Sequence, residues 1–142
     1  MLGDNHSSTA TSYNRIGLAY SSLGEYQKAR EYLFQSHEIY KALFGNNHPN
    51  TVASYNNLGN AYQHLGEYHK AIECFSKSLE IHKAGVGENH PNTATYCNNL
   101  GLAYNKMGEY QKAKEYLFKS HEIYKALFGD NHPNTALSYN NL

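Results

Sequence analysis

The stretch SYNNLGNAYQHLGEYHKA, residues 54–71, decides the fold because its apolar residues follow a helical spacing. Tyr55, Leu58, Tyr62 and Leu65 are three or four residues apart, which places them on one face of an α-helix. Gly66 interrupts the pattern, and a glycine can adopt the left-handed conformation that ends a helix. The stretch therefore predicts a helix that ends in a tight turn, with a second helix after it.

The same stretch recurs along the chain with a period of 42 residues. This interval separates equivalent glycines and prolines: Gly17, Gly59 and Gly101, and Pro49, Pro91 and Pro133. Residues 17–52 and 101–136 differ at only seven of 36 positions. The middle copy differs more from both, so it has drifted furthest. We predict a single repeat domain over residues 1–142, with helical hairpins at about 7–48, 49–90 and 91–132 and a partial helix at 133–142.

The junction between copies carries start and stop signals for helices. Gly45 is expected to end the second helix of a hairpin, and Pro49 suits the first turn of the next helix because its missing amide hydrogen costs little there. Asn47 or His48 can accept the unpaired amides at that helix start. The middle copy has Gly85 and Val86 where the other two have Leu-Phe, so we expect its second helix to end early or fray.

A single hairpin of this kind cannot bury both of its apolar faces. Neighbouring hairpins must therefore stack on each other, which gives a solenoid stabilised by contacts between adjacent repeats. No run of alternating β-branched residues competes with the helical pattern, so the predicted fold is all-α.

The repeated motifs resemble those of the tetratricopeptide repeat family. The resemblance is carried by NLGNAY at 57–62, LGEY at 65–68, Ala71 and HPNT at 48–51. The usual period of that family is 34 residues, and the eight extra residues here lengthen the second helix by about 12 Å, as in the repeats of kinesin light chains. The resemblance implies a right-handed α-solenoid of stacked antiparallel helix hairpins, whose first helices line a concave groove.

Paired asparagines recur on the first helices, and groove asparagines hold peptide backbone in relatives. The resemblance therefore implies that this protein is an interaction scaffold for an extended protein or peptide ligand. The candidate peptide-binding residues are Asn14, Arg15, Asn56, Asn57, Asn60, Gln63, Asn98, Asn99, Asn105 and Lys106, with Leu18, Ser21, Ser22, His64 and Leu102 on the same face. Arg15 and Lys106 are candidates for pairing with an acidic group. Alternatively, one asparagine of each pair bridges to a neighbouring helix or satisfies a helix end.

Composition limits the classes of partner. Of the 142 residues 40% are hydrophobic, and 12 Lys and Arg balance 12 Asp and Glu. Because no basic patch or long apolar stretch is present, we expect neither nucleic-acid nor membrane binding. Two cysteines do not make a disulfide framework, and the N-terminus lacks a secretion signal, so we expect a cytoplasmic protein.

The histidines of the sequence do not form a convincing metal site. His48, His90 and His132 lie in different repeats, too far apart for one metal, and capping of helices is their expected role. Lys41 stands where the second histidine of a zinc-protease motif would be needed. His64 is expected to be a solvated side chain rather than a ligand.

The cysteines do not indicate a nucleophile. Cys74 and Cys97 replace tyrosines of other copies and are expected to be small buried hydrophobic residues. We therefore expect no enzymatic activity and no cofactor.

A second interpretation of the sequence is self-assembly. Because successive repeats are nearly identical, an exposed end of one molecule matches the face offered by the first repeat of another, and molecules could stack head to tail. Tyr139 and Leu142 are the apolar residues that this hypothesis leaves exposed at the C-terminal end of a monomer.

Overall fold

A computed structural model describes residues 6–129 and 132–141, with the backbone alone at Tyr139. Every regular element in these residues is an α-helix, which confirms the all-α prediction. The helices are α1 (Ser7–Ser22), α2 (Tyr26–Phe44), α3 (Pro49–His64), α4 (Tyr68–Val86), α5 (Pro91–Lys106), α6 (Tyr110–Phe128) and α7 (Pro133–Asn141). No helix within the described residues is long and apolar enough to cross a bilayer.

The helices belong to two compact units that divide within α4, one ending at Cys74 and the other beginning at Phe75. In the first unit α1 packs on α2 and α2 packs on α3. In the second unit α5 packs on α6 and α6 packs on α7. Each unit thus contains one complete hairpin of a short and a long helix, followed by the short helix of the next repeat.

Each hairpin turn closes in the same way, at a glycine. Gly24 has a φ of 78°, a conformation that residues with a Cβ rarely adopt. Its N–H donates to the Ser21 carbonyl at 3.0 Å, and the N–H of Glu25 donates to the Tyr20 carbonyl at 2.9 Å. This pair of bonds is a Schellman motif, which satisfies the last carbonyls of α1 and turns the chain into α2. The turn glycines predicted from the sequence, including Gly66, are confirmed.

The short helices begin at histidine caps. His48 Nδ1 accepts a hydrogen bond from the Asn50 N–H at 3.1 Å, and Pro49 occupies the first turn. The same bond is made by His6, His90 and His132 to the amide two residues further on. The predicted capping role of the repeated histidine is therefore confirmed.

Small residues allow the two helices of a hairpin to approach closely. A Cβ added at Gly17 would lie 2.7 Å from Leu33 Cγ and 3.3 Å from the Ala29 carbonyl oxygen. At Gly101 it would lie 2.6 Å from Leu117 Cγ. Ala29 and Leu33 are buried, so they form the core of the first hairpin around this contact.

The prediction that the long helix of the middle copy ends early is wrong. Helix α4 ends at Val86, the position equivalent to Phe44 in α2, and both helices have 19 residues. The N–H of Gly87 donates to the Lys83 carbonyl at 2.8 Å, just as that of Gly45 donates to Lys41 at 2.9 Å. The backbone stop signal therefore sets the helix end, and the lost Leu-Phe packing does not move it.

Candidate functional site

The paired asparagines of the first unit join α1 to α3. Asn57 Nδ2 donates to Asn14 Oδ1 at 3.1 Å, and both side chains are half-buried. The two residues are 43 apart in sequence, so the second asparagine of one copy bonds the first asparagine position of the preceding copy.

The second unit repeats this arrangement between α5 and α7. Asn141 Nδ2 donates to Asn98 Oδ1 at 2.8 Å. Asn98 stands two repeats after Asn14, and Asn141 stands two repeats after Asn57, so each unit contains the same bonded pair. We call these the carboxamide pairs.

The sequence left open whether the paired asparagines bind a ligand or bridge to a neighbouring helix. At Asn14, Asn57 and Asn98 the side chain does bridge to a neighbouring helix, as the structural alternative expected. A carboxamide, however, has two N–H donors and an oxygen with two lone pairs. Each pair uses one N–H and one lone pair for this bond, so the bond also fixes the orientation of the remaining donors and acceptors.

The other predicted site residues differ in exposure. Those that are exposed are Arg15, Asn105 and Lys106, and those that are half-buried are Asn56, Asn60, Gln63 and Asn99. His64 is exposed, as expected, but its ring is held in place. It stacks on Tyr26 with centroids 4.3 Å apart, and its Nδ1 lies 2.8 Å from the Asn60 carbonyl oxygen.

The junction between α2 and α3 contains a buried polar pair that the sequence did not predict. Ser54 Oγ donates to the Thr51 carbonyl at 2.7 Å, and His37 Nδ1 lies 2.7 Å from the same hydroxyl oxygen. Because the serine hydrogen is already used, the imidazole must carry its proton on Nδ1 and donate it to Ser54. Burial lowers the pKa of His37, so the ring is neutral near pH 7.

The α4–α5 junction replaces this arrangement. Leu79 stands in place of His37 and Tyr96 in place of Ser54. His82 Nε2 lies 3.3 Å from His90 Nδ1, and the His82 ring meets the Tyr96 ring edge-on at a centroid distance of 5.3 Å. Since His90 Nδ1 already accepts from the Asn92 amide, His82 is the donor of the bond between the two imidazoles. A signal was present in the sequence, because Leu79, His82 and Tyr96 depart from the other copies together.

A family model of the tetratricopeptide repeat matches residues 8–84, 52–126 and 95–142. The chain belongs to the tetratricopeptide repeat family. No curated protein sequence matches it. The fold and the family named from the motifs are therefore confirmed.

Several solved structures share this fold. A variant of the Podosopora anserina putative kinesin light chain with nearly identical repeats is 27% identical, with a TM-score of 0.88 over 100% of this chain and 67% of that one. BtubC (BKLC) from P. vanneervenii is 25% identical with a TM-score of 0.80, over 92% of this chain and 52% of that one. The TPR domain of Arabidopsis FLU shares the fold. It is 19% identical with a TM-score of 0.74, over 82% of this chain and 95% of that one. The chain thus spans about half of BtubC.

The two cysteines of this tetratricopeptide repeat chain are buried thiols, as predicted. Burial raises the pKa of Cys74 to about 12 and that of Cys97 to about 11. Both groups are therefore protonated near neutral pH and are poor nucleophiles. Among the described residues, no three His, Cys, Asp or Glu side chains converge on a common point where they could hold a metal ion.

Proposed function

We propose that the chain is a non-enzymatic scaffold that binds an extended peptide segment through its short helices. The observation that carries the proposal is the recurrence of the carboxamide pair, Asn14 with Asn57 in one unit and Asn98 with Asn141 in the other. A peptide main chain presents alternating N–H and C=O groups, and a carboxamide can match either.

The hydrogen bond within each pair supports this role because it pre-orients the amides. A side chain whose rotamer is already fixed loses less entropy when a ligand binds. Exposed residues beside the pairs can contact ligand side chains. Arg15 follows Asn14 directly and Leu18 lies one helical turn away, and both are exposed. The second unit has the exposed cation Lys106 on the same helix as Asn98. A ligand with acidic and apolar residues suits these surroundings.

The proposal is tested by selecting peptides from a displayed random library against the whole chain. The double variant Asn14→Ala/Asn98→Ala removes the accepting carboxamide of both pairs. We expect its affinity for the selected peptides to fall at least tenfold, as measured by calorimetry, because main-chain hydrogen bonds are lost in both units.

The matched control is Asn50→Ala/Asn92→Ala, which removes exposed asparagines from the first turns of α3 and α5. This control should bind the peptides as the wild type does. Equal affinities for the wild type and the Asn14→Ala/Asn98→Ala variant, with both folded by circular dichroism, would reject the proposal.

Head-to-tail association is a second candidate function, and it is favoured by a different surface. Ser12, Ile16, Ala19 and Leu23 form an exposed stripe on α1. Their equivalents on α3 include Ser54, Leu58 and Ala61, which are buried in a unit where α3 packs on α2. The stripe therefore has the composition of a surface that packs on a long helix. Leu142 and the side chain of Tyr139, on which the sequence-based hypothesis rests, lie outside the described residues.

Sedimentation velocity over a wide concentration range tests this candidate. Ile16→Glu places a charge in the stripe and should abolish association. Phe34→Glu is the control, because Phe34 is exposed to a similar extent, 44% against 40% for Ile16, but lies on α2. A wild-type chain that remains monomeric at millimolar concentration would reject association.

A further inference from the structure

The second unit contains a cavity of about 310 Å³ beside the α4–α5 junction. Leu79, Ile123 and Ala126 form its apolar wall, and Cys97 contributes a thiol that is 2% exposed. Lys83 and Glu88 also line it and form an ion pair at 2.7 Å. The rest of the lining is polar and is formed by Asn89, Thr93, Lys119 and Glu122, so the cavity has one apolar wall and an otherwise polar and charged lining.

The first unit shows which side chain stands at the position equivalent to Cys97. The Tyr55 ring lies there, with its centroid 4.2 Å from that of His37 and its hydroxyl 3.4 Å from Asn46 Oδ1. This ring is 9% exposed. The positions equivalent to Tyr55, His37 and Asn46 one repeat later are Cys97, Leu79 and Glu88, and all three line the cavity.

Part of the cavity thus lies where other copies carry a tyrosine ring. Cys97 is too short to reach the volume that a phenol ring occupies, and Leu79 offers an apolar contact in place of the imidazole. The hydrogen bond from Lys83 lowers the pKa of Glu88, which keeps this carboxylate charged and able to accept a phenol hydrogen. An apolar cavity of about 150 Å³ in another protein is large enough to bind benzene, so space does not limit the entry of one ring here.

We propose that this cavity is a binding pocket for the tyrosine side chain of a polypeptide partner. The 4-hydroxyphenyl ring packs on Leu79, Ile123 and Ala126 above Cys97, and its hydroxyl donates to Glu88. The residues differ from those of the carboxamide pairs, so this pocket stands whether or not those pairs bind peptide backbone.

The experiment titrates the whole isotope-labelled chain with N-acetyl-L-tyrosinamide and follows backbone amide signals by NMR. We expect saturable shifts at residues 79, 97 and 123 and nuclear Overhauser contacts from the ring to the Leu79 and Ile123 methyl groups. N-acetyl-L-leucinamide should bind at least fivefold more weakly. Cys97→Tyr restores the tyrosine of the other copies. The ring of this new tyrosine should fill the pocket and weaken the binding of N-acetyl-L-tyrosinamide at least tenfold.

Two further variants distinguish binding in this pocket from binding by the thiol or by the carboxamide pairs. Cys97→Ala leaves the space open and should retain binding, which excludes a role for the thiol. Asn98→Ala should also retain binding. The proposal is overturned if tyrosinamide causes no saturable shifts, if p-cresol binds and tyrosinamide does not, or if Asn98→Ala abolishes binding. Methyl contacts in the wild type decide the matter even if Cys97→Tyr does not fold.

Discussion

The α2–α3 and α4–α5 junctions have the same helix boundaries and different interiors. Both begin with a long helix that ends at a glycine and continue into a short helix capped by a histidine. In the first junction, buried His37 makes a hydrogen bond with Ser54 and a ring contact with Tyr55. In the second, Leu79, Tyr96 and Cys97 occupy the same positions.

The difference shows that helix geometry and junction packing are set by separate residues. Glycine, proline and the capping histidine specify where helices begin and end, and they are unchanged in the middle copy. The interior changed as a group, because replacing His37 alone would leave the Ser54 hydroxyl without its donor. Cys97 is much smaller than Tyr55 and Tyr96 is much larger than Ser54, so bulk has moved between neighbouring positions, and a cavity lies beside Cys97.

Tyr55→Cys is the substitution that should convert the first junction most strongly towards the second. It removes a buried ring and leaves a cavity, so we expect the free energy of unfolding to fall by about 3 kcal/mol in urea denaturation. Tyr110→Cys is the control, since Tyr110 is 68% exposed, and it should change stability by less than about 0.5 kcal/mol. A similar loss in both variants would mean that burial of Tyr55 does not stabilise the junction.

Ser54→Ala should have the next largest effect. It leaves the buried Nδ1–H of His37 without its acceptor, for which we expect a loss of about 1 to 2 kcal/mol. Ser12→Ala makes the same change at the equivalent exposed position of α1 and should be nearly neutral. Equal unfolding free energies for these two variants would contradict the assigned hydrogen bond.

Gly85→Ala tests how far the glycine of the middle copy weakens the end of α4. Gly85 lies in the last turn of α4, and a Cβ there would have no described atom within 4 Å apart from its immediate surroundings in the helix. Alanine should therefore stabilise the chain by about 0.5 to 1 kcal/mol and slow hydrogen exchange at residues 80–86. In the wild type we still predict faster exchange there than at residues 122–128, which leaves the fraying hypothesis open to test. Gly101→Ala is the contrasting control and should destabilise, because its Cβ would meet Leu117.

The smallest effect that we expect is a pH dependence. Burial lowers the pKa of His37, and burial together with the neighbouring His90 lowers that of His82. The unfolded chain therefore binds protons at these positions more readily, so stability is complete above about pH 6.5 and falls as the pH drops through the pKa values of the folded state. Melting temperatures between pH 7.5 and 5 should show this decline, with a shallower slope for His82→Tyr. An unchanged slope in that variant would exclude His82 as a contributor.

Local signals in the sequence were sufficient for most of the fold. Gly24, Pro49 and the spacing of the apolar residues place the helices because they act through the backbone of nearby residues. Alignment of the copies did not predict the bond between Asn14 and Asn57. The two residues are 43 apart, one more than the repeat period, so they are not equivalent positions of the repeat. The cavity beside Cys97 was also missed. Its formation depends on side chains from three helices, and the sequence showed only that a tyrosine was absent.

The side chains that replace His37 and Ser54 at the α4–α5 junction affect which helices can pair during folding. Helices α2 and α6 are nearly identical, so either could in principle close on the wrong short helix, within one molecule or between two. If α2 closed on α5, His37 would face the Tyr96 ring instead of the Ser54 hydroxyl, because the tyrosine hydroxyl lies at the far end of that ring. The middle copy thereby opposes the pairing of α2 with α5, whereas Ser54 on α3 and Ser138 on α7 offer this histidine the same acceptor.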